Sequence, residues 1–77
     1  MAKAIFILDP VEVLGVKEKL AGIKRVDSSF RYDIVEARNG SGYLLIVFAK
    51  DKSEAHKKSL WIWDKVFGKD RAYFVKE

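Results

Sequence analysis

The apolar residues of this chain fall into short runs separated by turn and capping residues, and four of these runs predict β-strands. Residues 2–8 and 42–50 are rich in β-branched and aromatic residues, which favour strands. A further strand lies within residues 23–37, and the last one lies in residues 71–76. The segment 38–42 contains Asn and Gly, which accept the positive φ of a hairpin turn, so it predicts a hairpin between the second and third strands.

Two helices are predicted between these strands, and each follows a capping sequence. Asp9 with Glu12 and Asp51 with Glu54 have the spacing of the capping box, and Pro10 suits a first helical position. The first helix is expected over residues 10–21, closed by Gly22, with an apolar face of Val13, Leu14, Leu20 and Ala21. The second is expected up to Gly68, with an apolar arc of Ala55, Ser59, Leu60, Ile62, Trp63, Val66 and Phe67.

The two halves of the chain repeat one order: strand, capping sequence, amphipathic helix, glycine, strand. Two such split βαβ units predict the ferredoxin-like βαββαβ fold, an α+β sandwich with a four-stranded antiparallel sheet and both helices on one face. The expected strand order is 4-1-3-2. A chain of 77 residues suits one domain, spanning residues 1–77.

The first and third strands carry large apolar side chains on both sides. A strand with one face on the core and the other in water usually alternates apolar with polar residues. We expect Ile5, Ile7, Leu44, Ile46 and Phe48 to pack beneath the helices, and Phe6, Leu8, Tyr43, Leu45 and Val47 to lie on the helix-free side. A three-residue hairpin loop, residues 39–41, would place Tyr32 beside Phe48 and Ile34 beside Ile46. On this interpretation a companion molecule covers the helix-free side.

Composition narrows the chemistry further. The formal net charge is +4 and no cysteine is present, so acidic partners are favoured while disulfides and thiolate chemistry are excluded. Glutamine and threonine are absent while lysine is abundant, a bias typical of thermophiles. The longest apolar run, residues 43–49, is too short for a membrane helix, and the N-terminus lacks the layout of a signal peptide, so a cytoplasmic protein is expected.

Two segments resemble motifs of the RNA recognition motif family. "IFILDP", residues 5–10, is similar to the motif on the family's first strand, and "SGYLLIVF", residues 41–48, to the motif on its third. The resemblance implies RNA or DNA binding through the helix-free sheet face, with Phe6 and Tyr43 stacking on bases. The chain departs from the family at Ser41, where the motif has a basic residue, and at Leu45, where it has an aromatic one.

The sequence therefore predicts a small basic binding module and no enzyme. On the nucleic-acid hypothesis the binding residues are Phe6, Tyr43, Arg31 and Lys50, with Lys24 and Arg25 at the margin. We also expect a homodimer, with Leu8, Leu45, Val47 and Trp61 at the dimer or partner interface. The alternative function is a self-associating protein-interaction domain, or a regulatory domain that holds a small ligand between paired sheets, with no nucleic-acid role.

His56 and Asp9 are candidates for catalysis and for metal binding, respectively, and both also have structural explanations. His56 is the only histidine, and helical spacing puts it on the apolar arc, which favours a hydrogen-bonded, partly buried residue. Asp9 could bind a metal in a symmetric dimer, but its place before Pro10 explains it as a helix cap. We expect no metal site and no cofactor.

Overall fold

The computed structural model describes all 77 residues and contains four strands and two helices. The strands are β1 (Ala2–Leu8), β2 (Tyr32–Glu36), β3 (Tyr43–Ala49) and β4 (Phe74–Lys76), and the helices are α1 (Val13–Val26) and α2 (Lys52–Ile62). A 3₁₀ turn (Pro10–Glu12) precedes α1, and a π-helical turn (Trp63–Phe67) follows α2. All strand pairs are antiparallel, in the order β2-β3-β1-β4, which is the predicted order read from the other edge. The fold is therefore α+β.

The predicted capping sequences start both helical segments. The backbone N–H of Asp9 donates to Glu12 Oε2 at 2.7 Å. At the second helix Asp51 Oδ1 accepts from the N–H of Glu54 at 2.8 Å, and Glu54 Oε1 accepts from the N–H of Lys50 at 2.9 Å. These bonds satisfy donors that a helix start would otherwise leave unpaired.

Helix α1 differs from its prediction in length and in its buried face. It continues past Gly22 to Val26, because Ile23 in its last turns packs against the core and outweighs the cost of a helical glycine, about 1 kcal/mol. Val13, Val16 and Leu20 are buried, whereas Leu14 is 75% exposed. Leu60 of α2, predicted on the apolar arc, is also mostly exposed.

The core lies on the side of the sheet that the prediction assigned to the helix-free face. Phe6, Leu8, Leu45 and Val47 have no exposed surface and belong to one cluster with the buried residues of both helices. The predicted assignment of the two faces of β1 and β3 is therefore wrong. On β1 the helix-covered side also carries Ala2 and Ala4, whose small side chains leave room for the helices, while the other side carries the charged Lys3.

The hairpin register is also shifted by one residue from the prediction. Tyr32 lies opposite Val47 and Ile34 opposite Leu45, since the loop has four residues, 38–41, instead of three. The shift keeps Tyr32 and Ile34 on the helix side, as predicted, and pairs them with the buried residues of β3. Next to this loop, a Cβ on Gly42 would lie 2.7 Å from the carbonyl oxygen of Leu8, so only glycine fits there.

Candidate binding surface on the open sheet face

The side of the sheet away from the helices, here called the open face, is largely apolar. Of its apolar side chains Ile7 is 57% and Phe74 is 60% exposed, while the others are half-buried against their neighbours. Its residues are Lys3, Ile5, Ile7, Arg31, Asp33, Val35, Leu44, Ile46, Phe48, Phe74 and Lys76. This amounts to a patch of a few hundred Å², roughly at the upper end of what a monomer exposes.

Strand register divides the open face into three rows that cross the sheet. The basic row is Lys76, Lys3, Phe48 and Arg31; the middle row is Phe74, Ile5, Ile46 and Asp33; the apolar row is Ile7, Leu44 and Val35. Adjacent rows are two residues apart along a strand, about 7 Å. The face is therefore graded from positive at one end to apolar at the other.

The basic row crosses all four strand positions. Lys3 lies directly opposite Lys76 on one side and Phe48 on the other, and the N–H of Phe48 donates to the carbonyl of Arg31 at 3.0 Å. The Arg31 guanidinium lies 5.6 Å from the centre of the Phe48 ring, in cation–π range. No carboxylate pairs with Lys3, Arg31 or Lys76. Like charges opposite each other destabilise a sheet, so this row would gain from a bound anion.

Two shallow grooves adjoin the basic row beside Arg31 and Phe48. One, of about 240 Å³, is lined by Ser29, Arg31, Phe48 and Lys50 and by the ion pair of Lys58 with Glu54, 3.5 Å apart, among others. The second, of about 320 Å³, is lined by Lys24, Arg31, Tyr32, Asp33 and Phe48. The structure thus brings together three of the predicted nucleic-acid contacts, Arg31, Lys50 and Lys24, around Phe48. Arg25 is exposed on α1 and lines neither groove.

The two aromatic residues predicted to stack on bases do not lie on this face. Phe6 is fully buried, with its ring centre 5.5 Å from that of Phe67 and 5.6 Å from that of Tyr73. Tyr43 is half-buried on the helix side, opposite Leu8. The predicted position of both residues on the helix-free face is therefore wrong, because neighbouring residues of a strand point to opposite faces and Ile5, Ile7 and Leu44 point to the open face.

Three of the four residues predicted at a partner interface lie inside the protein. Leu8, Leu45 and Val47 are core residues without exposed surface. Trp61 is 40% exposed on the helix side, with its ring edge-on to Phe30 at 5.9 Å between centres. It lines a groove of about 490 Å³ together with residues of α1.

His56 is exposed rather than partly buried, since its side chain lies off the buried stripe of α2. Its Nδ1 lies 2.8 Å from the hydroxyl of Tyr73, so the predicted hydrogen bond is present. No group of three or more His, Asp or Glu side chains is placed to hold a metal ion.

A salt bridge that the sequence did not reveal links the start of the chain to its end. Arg71 donates to both carboxylate oxygens of Glu12, through Nη1 at 2.7 Å and through Nη2, and Nη2 also donates to the carbonyl of Ile7 at 2.9 Å. The guanidinium lies 4.5 Å from the centre of the Phe67 ring. The hydrogen bond from Arg71 lowers the pKa of Glu12, and the same bond raises the pKa of Arg71. Residues 59 positions apart give no sequence signal for such a pair.

Comparison with protein-family models, with curated proteins and with solved structures finds no match to this chain. No helix in the structure has the length and apolar content needed to cross a membrane.

Proposed function

We propose that this chain is a ferredoxin-like βαββαβ module, similar to RNA recognition motifs, that binds single-stranded nucleic acid along its basic row. The main support for the proposal is the strand register, which aligns Lys76, Lys3 and Arg31 with the ring of Phe48 across the open face. None of these three cations has a carboxylate partner. The excess of Lys and Arg over Asp and Glu, fifteen against eleven, favours the same class of partner.

The dimensions of the basic row suit a nucleic-acid backbone. Neighbouring strands are about 4.8 Å apart, so the row spans roughly 14 Å between Lys76 and Arg31. Two further cations border the row: Lys50, two residues past Phe48, lines the first groove, and Lys24, whose Nζ donates to the carbonyls of Ser28 and Phe30, lines the second. Cations spaced along a groove neutralise successive phosphates and release their counterions, which makes the affinity depend on salt.

Phe48 replaces Phe6 and Tyr43 as the candidate for base stacking. Its ring lies within the basic row and lines both grooves. A base that stacks on this ring competes with the Arg31 guanidinium, which then becomes free to pair with a phosphate. Stacking of this kind tolerates any base, so the proposal predicts weak sequence preference.

The test is the replacement of Lys3, Arg31 and Lys76 together by alanine. We expect the slope of log affinity against log salt to fall by about 2, from three lost contacts at about 0.7 each on a single strand. Binding is measured by fluorescence anisotropy with labelled RNA and DNA oligonucleotides over a salt series.

The matched control replaces Lys17, Lys52 and Lys57, which are exposed lysines outside the open face, and should leave the slope nearly unchanged. Wild-type protein that shows no salt-sensitive binding at micromolar concentration would rule out the nucleic-acid function. Equal slopes in the two triple variants would rule out the basic row as the site.

A further inference from the structure

We propose that Asp33 makes the stacking position on Phe48 selective for guanine, an inference that rests on the proposed function. Stacking by itself accepts any base. A base whose edge meets a fixed hydrogen-bonding group is selected in addition by its donors and acceptors. Asp33 is the one such side chain in the middle row, whose other members are Phe74, Ile5 and Ile46.

The strand register places Asp33 beside the Phe48 ring. Asp33 lies opposite Ile46, and the backbone-bonded pair of Arg31 and Phe48 lies one row further along the same two strands. Asp33 and Phe48 also line the same groove, of about 320 Å³. A base that stacks on the ring in this groove therefore has the carboxylate at its edge.

The charges of the two rows orient the bound nucleotide. The basic row attracts the phosphates, and the Asp33 carboxylate repels them from the middle row. The Watson–Crick edge of a base lies on the side away from its sugar. A nucleotide with its phosphates on the basic row therefore directs this edge along the strands towards Asp33.

The Asp33 carboxylate is held in place and has free acceptor sites. Its Oδ1 atom accepts a hydrogen bond from the N–H of Ile34 at 2.9 Å, and Asp33 belongs to none of the ion pairs of the chain. An ionised carboxylate has about four acceptor sites, so sites remain on both oxygens.

Guanine is the base whose Watson–Crick edge matches these two oxygens. Its ring N–H and its exocyclic amino group are adjacent and parallel, so each can donate to one oxygen of the carboxylate. Adenine and cytosine present an amino group beside an acceptor nitrogen, which a carboxylate repels. Uracil presents one N–H between two carbonyl oxygens, so guanine alone can form the bidentate pair.

Short oligouridine RNAs that differ only in their central nucleotide test the inference. Inosine differs from guanosine only in lacking the exocyclic amino group. We expect wild-type protein to bind the RNA with a central guanosine at least about fivefold more tightly than the RNA with a central inosine, the effect of one hydrogen bond to a charged group. Fluorescence anisotropy at one fixed salt concentration measures both affinities.

The variant Asp33→Asn separates the role of the carboxylate from that of stacking. The amide oxygen can still accept from the N–H of Ile34, but the amide NH₂ cannot accept, so the ratio of the two affinities should fall to within about twofold. The matched control is Glu36→Gln, which removes the same charge from the same strand on the other side of the sheet and should keep the wild-type ratio.

The outcomes distinguish this inference from the proposed function. Salt-sensitive binding with equal affinities for the guanosine and inosine RNAs would refute selection of guanine and leave the proposed function standing. A guanosine preference that persists in Asp33→Asn would overturn the role of Asp33. If none of these RNAs shows salt-sensitive binding, the proposed function fails, and the inference fails with it.

Discussion

Replacement of Phe6 by alanine is expected to lower the free energy of unfolding by about 3–5 kcal/mol. The side chain is fully buried and its ring contacts Phe67 and Tyr73, so truncation leaves a cavity between the sheet and the end of α2. The loss is comparable to the whole stability of a small domain, about 5–15 kcal/mol. The measurement is urea unfolding followed by tryptophan fluorescence, since Trp61 and Trp63 both lie on the helix side.

The control for this prediction is Phe74→Ala on the opposite face of the sheet. Phe74 is 60% exposed and sits on the short edge strand β4, so we expect a loss below about 1 kcal/mol. A larger loss for Phe74→Ala than for Phe6→Ala would contradict the described assignment of the two faces.

Removal of the Arg71 side chain is the second large effect that we expect. Arg71→Ala should lower the free energy of unfolding by about 1.5–3 kcal/mol, because it removes charge-assisted hydrogen bonds and leaves the half-buried Glu12 without its partner. Arg71→Lys should restore only part of this loss, since an ammonium group cannot bind both carboxylate oxygens in parallel. Lys69→Ala, at an exposed neighbouring cation, is the control. Urea unfolding at pH 7 compares the free energies of unfolding of wild-type protein, Arg71→Ala, Arg71→Lys and Lys69→Ala. Equal unfolding midpoints for Arg71→Ala and Lys69→Ala would refute the role of the salt bridge.

The same salt bridge predicts a dependence of stability on pH. The pKa of Glu12 is lower in the folded chain than its usual value of 4.5, so the stabilisation is fully present above that pH. It is lost as the pH falls through 4.5 towards the lowered value in the folded state. The stability difference between wild-type protein and Glu12→Gln should therefore shrink between about pH 5 and pH 3. A difference that stays constant over this range would contradict the lowered pKa.

Local signals predicted the element order well, because capping and turn residues act through nearby backbone groups. Glu12 accepts from the N–H of Asp9 and Asp51 accepts from the N–H of Glu54, as their spacing predicted, while Glu54 accepts from the N–H of Lys50, one residue before the predicted donor. The end of α1 was less predictable, since Gly22 looks like a stop signal while the buried contact of Ile23 is long-range. Tertiary packing decided that boundary.

The two faces of the central strands could not be separated by hydrophobicity, because both alternating sets on β1 and β3 are apolar. One signal in the sequence could have separated them: Lys3 is the one charged residue of β1, and it indicates that the alternating residues Lys3, Ile5 and Ile7 form the solvent-facing side of this strand. Lys76 marks β4 in the same way, whereas β2 gives no such signal, because Asp33 lies on the open side and Glu36 on the other. The proposed binding row depends on this assignment: charge alone pointed to Arg31, Lys24 and Lys50, while the strand register adds Lys3, Phe48 and Lys76 to the proposal.

The outer edges of the sheet discourage the growth of fibres. On β2 the backbone N–H of Ile34 points away from β3, and the Oδ1 atom of its neighbour Asp33 accepts it at 2.9 Å. On the other border β4 has only three residues and carries a lysine. A satisfied edge donor, a charged edge residue and a very short edge strand all hinder pairing with an incoming chain. Amyloid-like stacking through these borders is disfavoured even in a crowded solution of this protein.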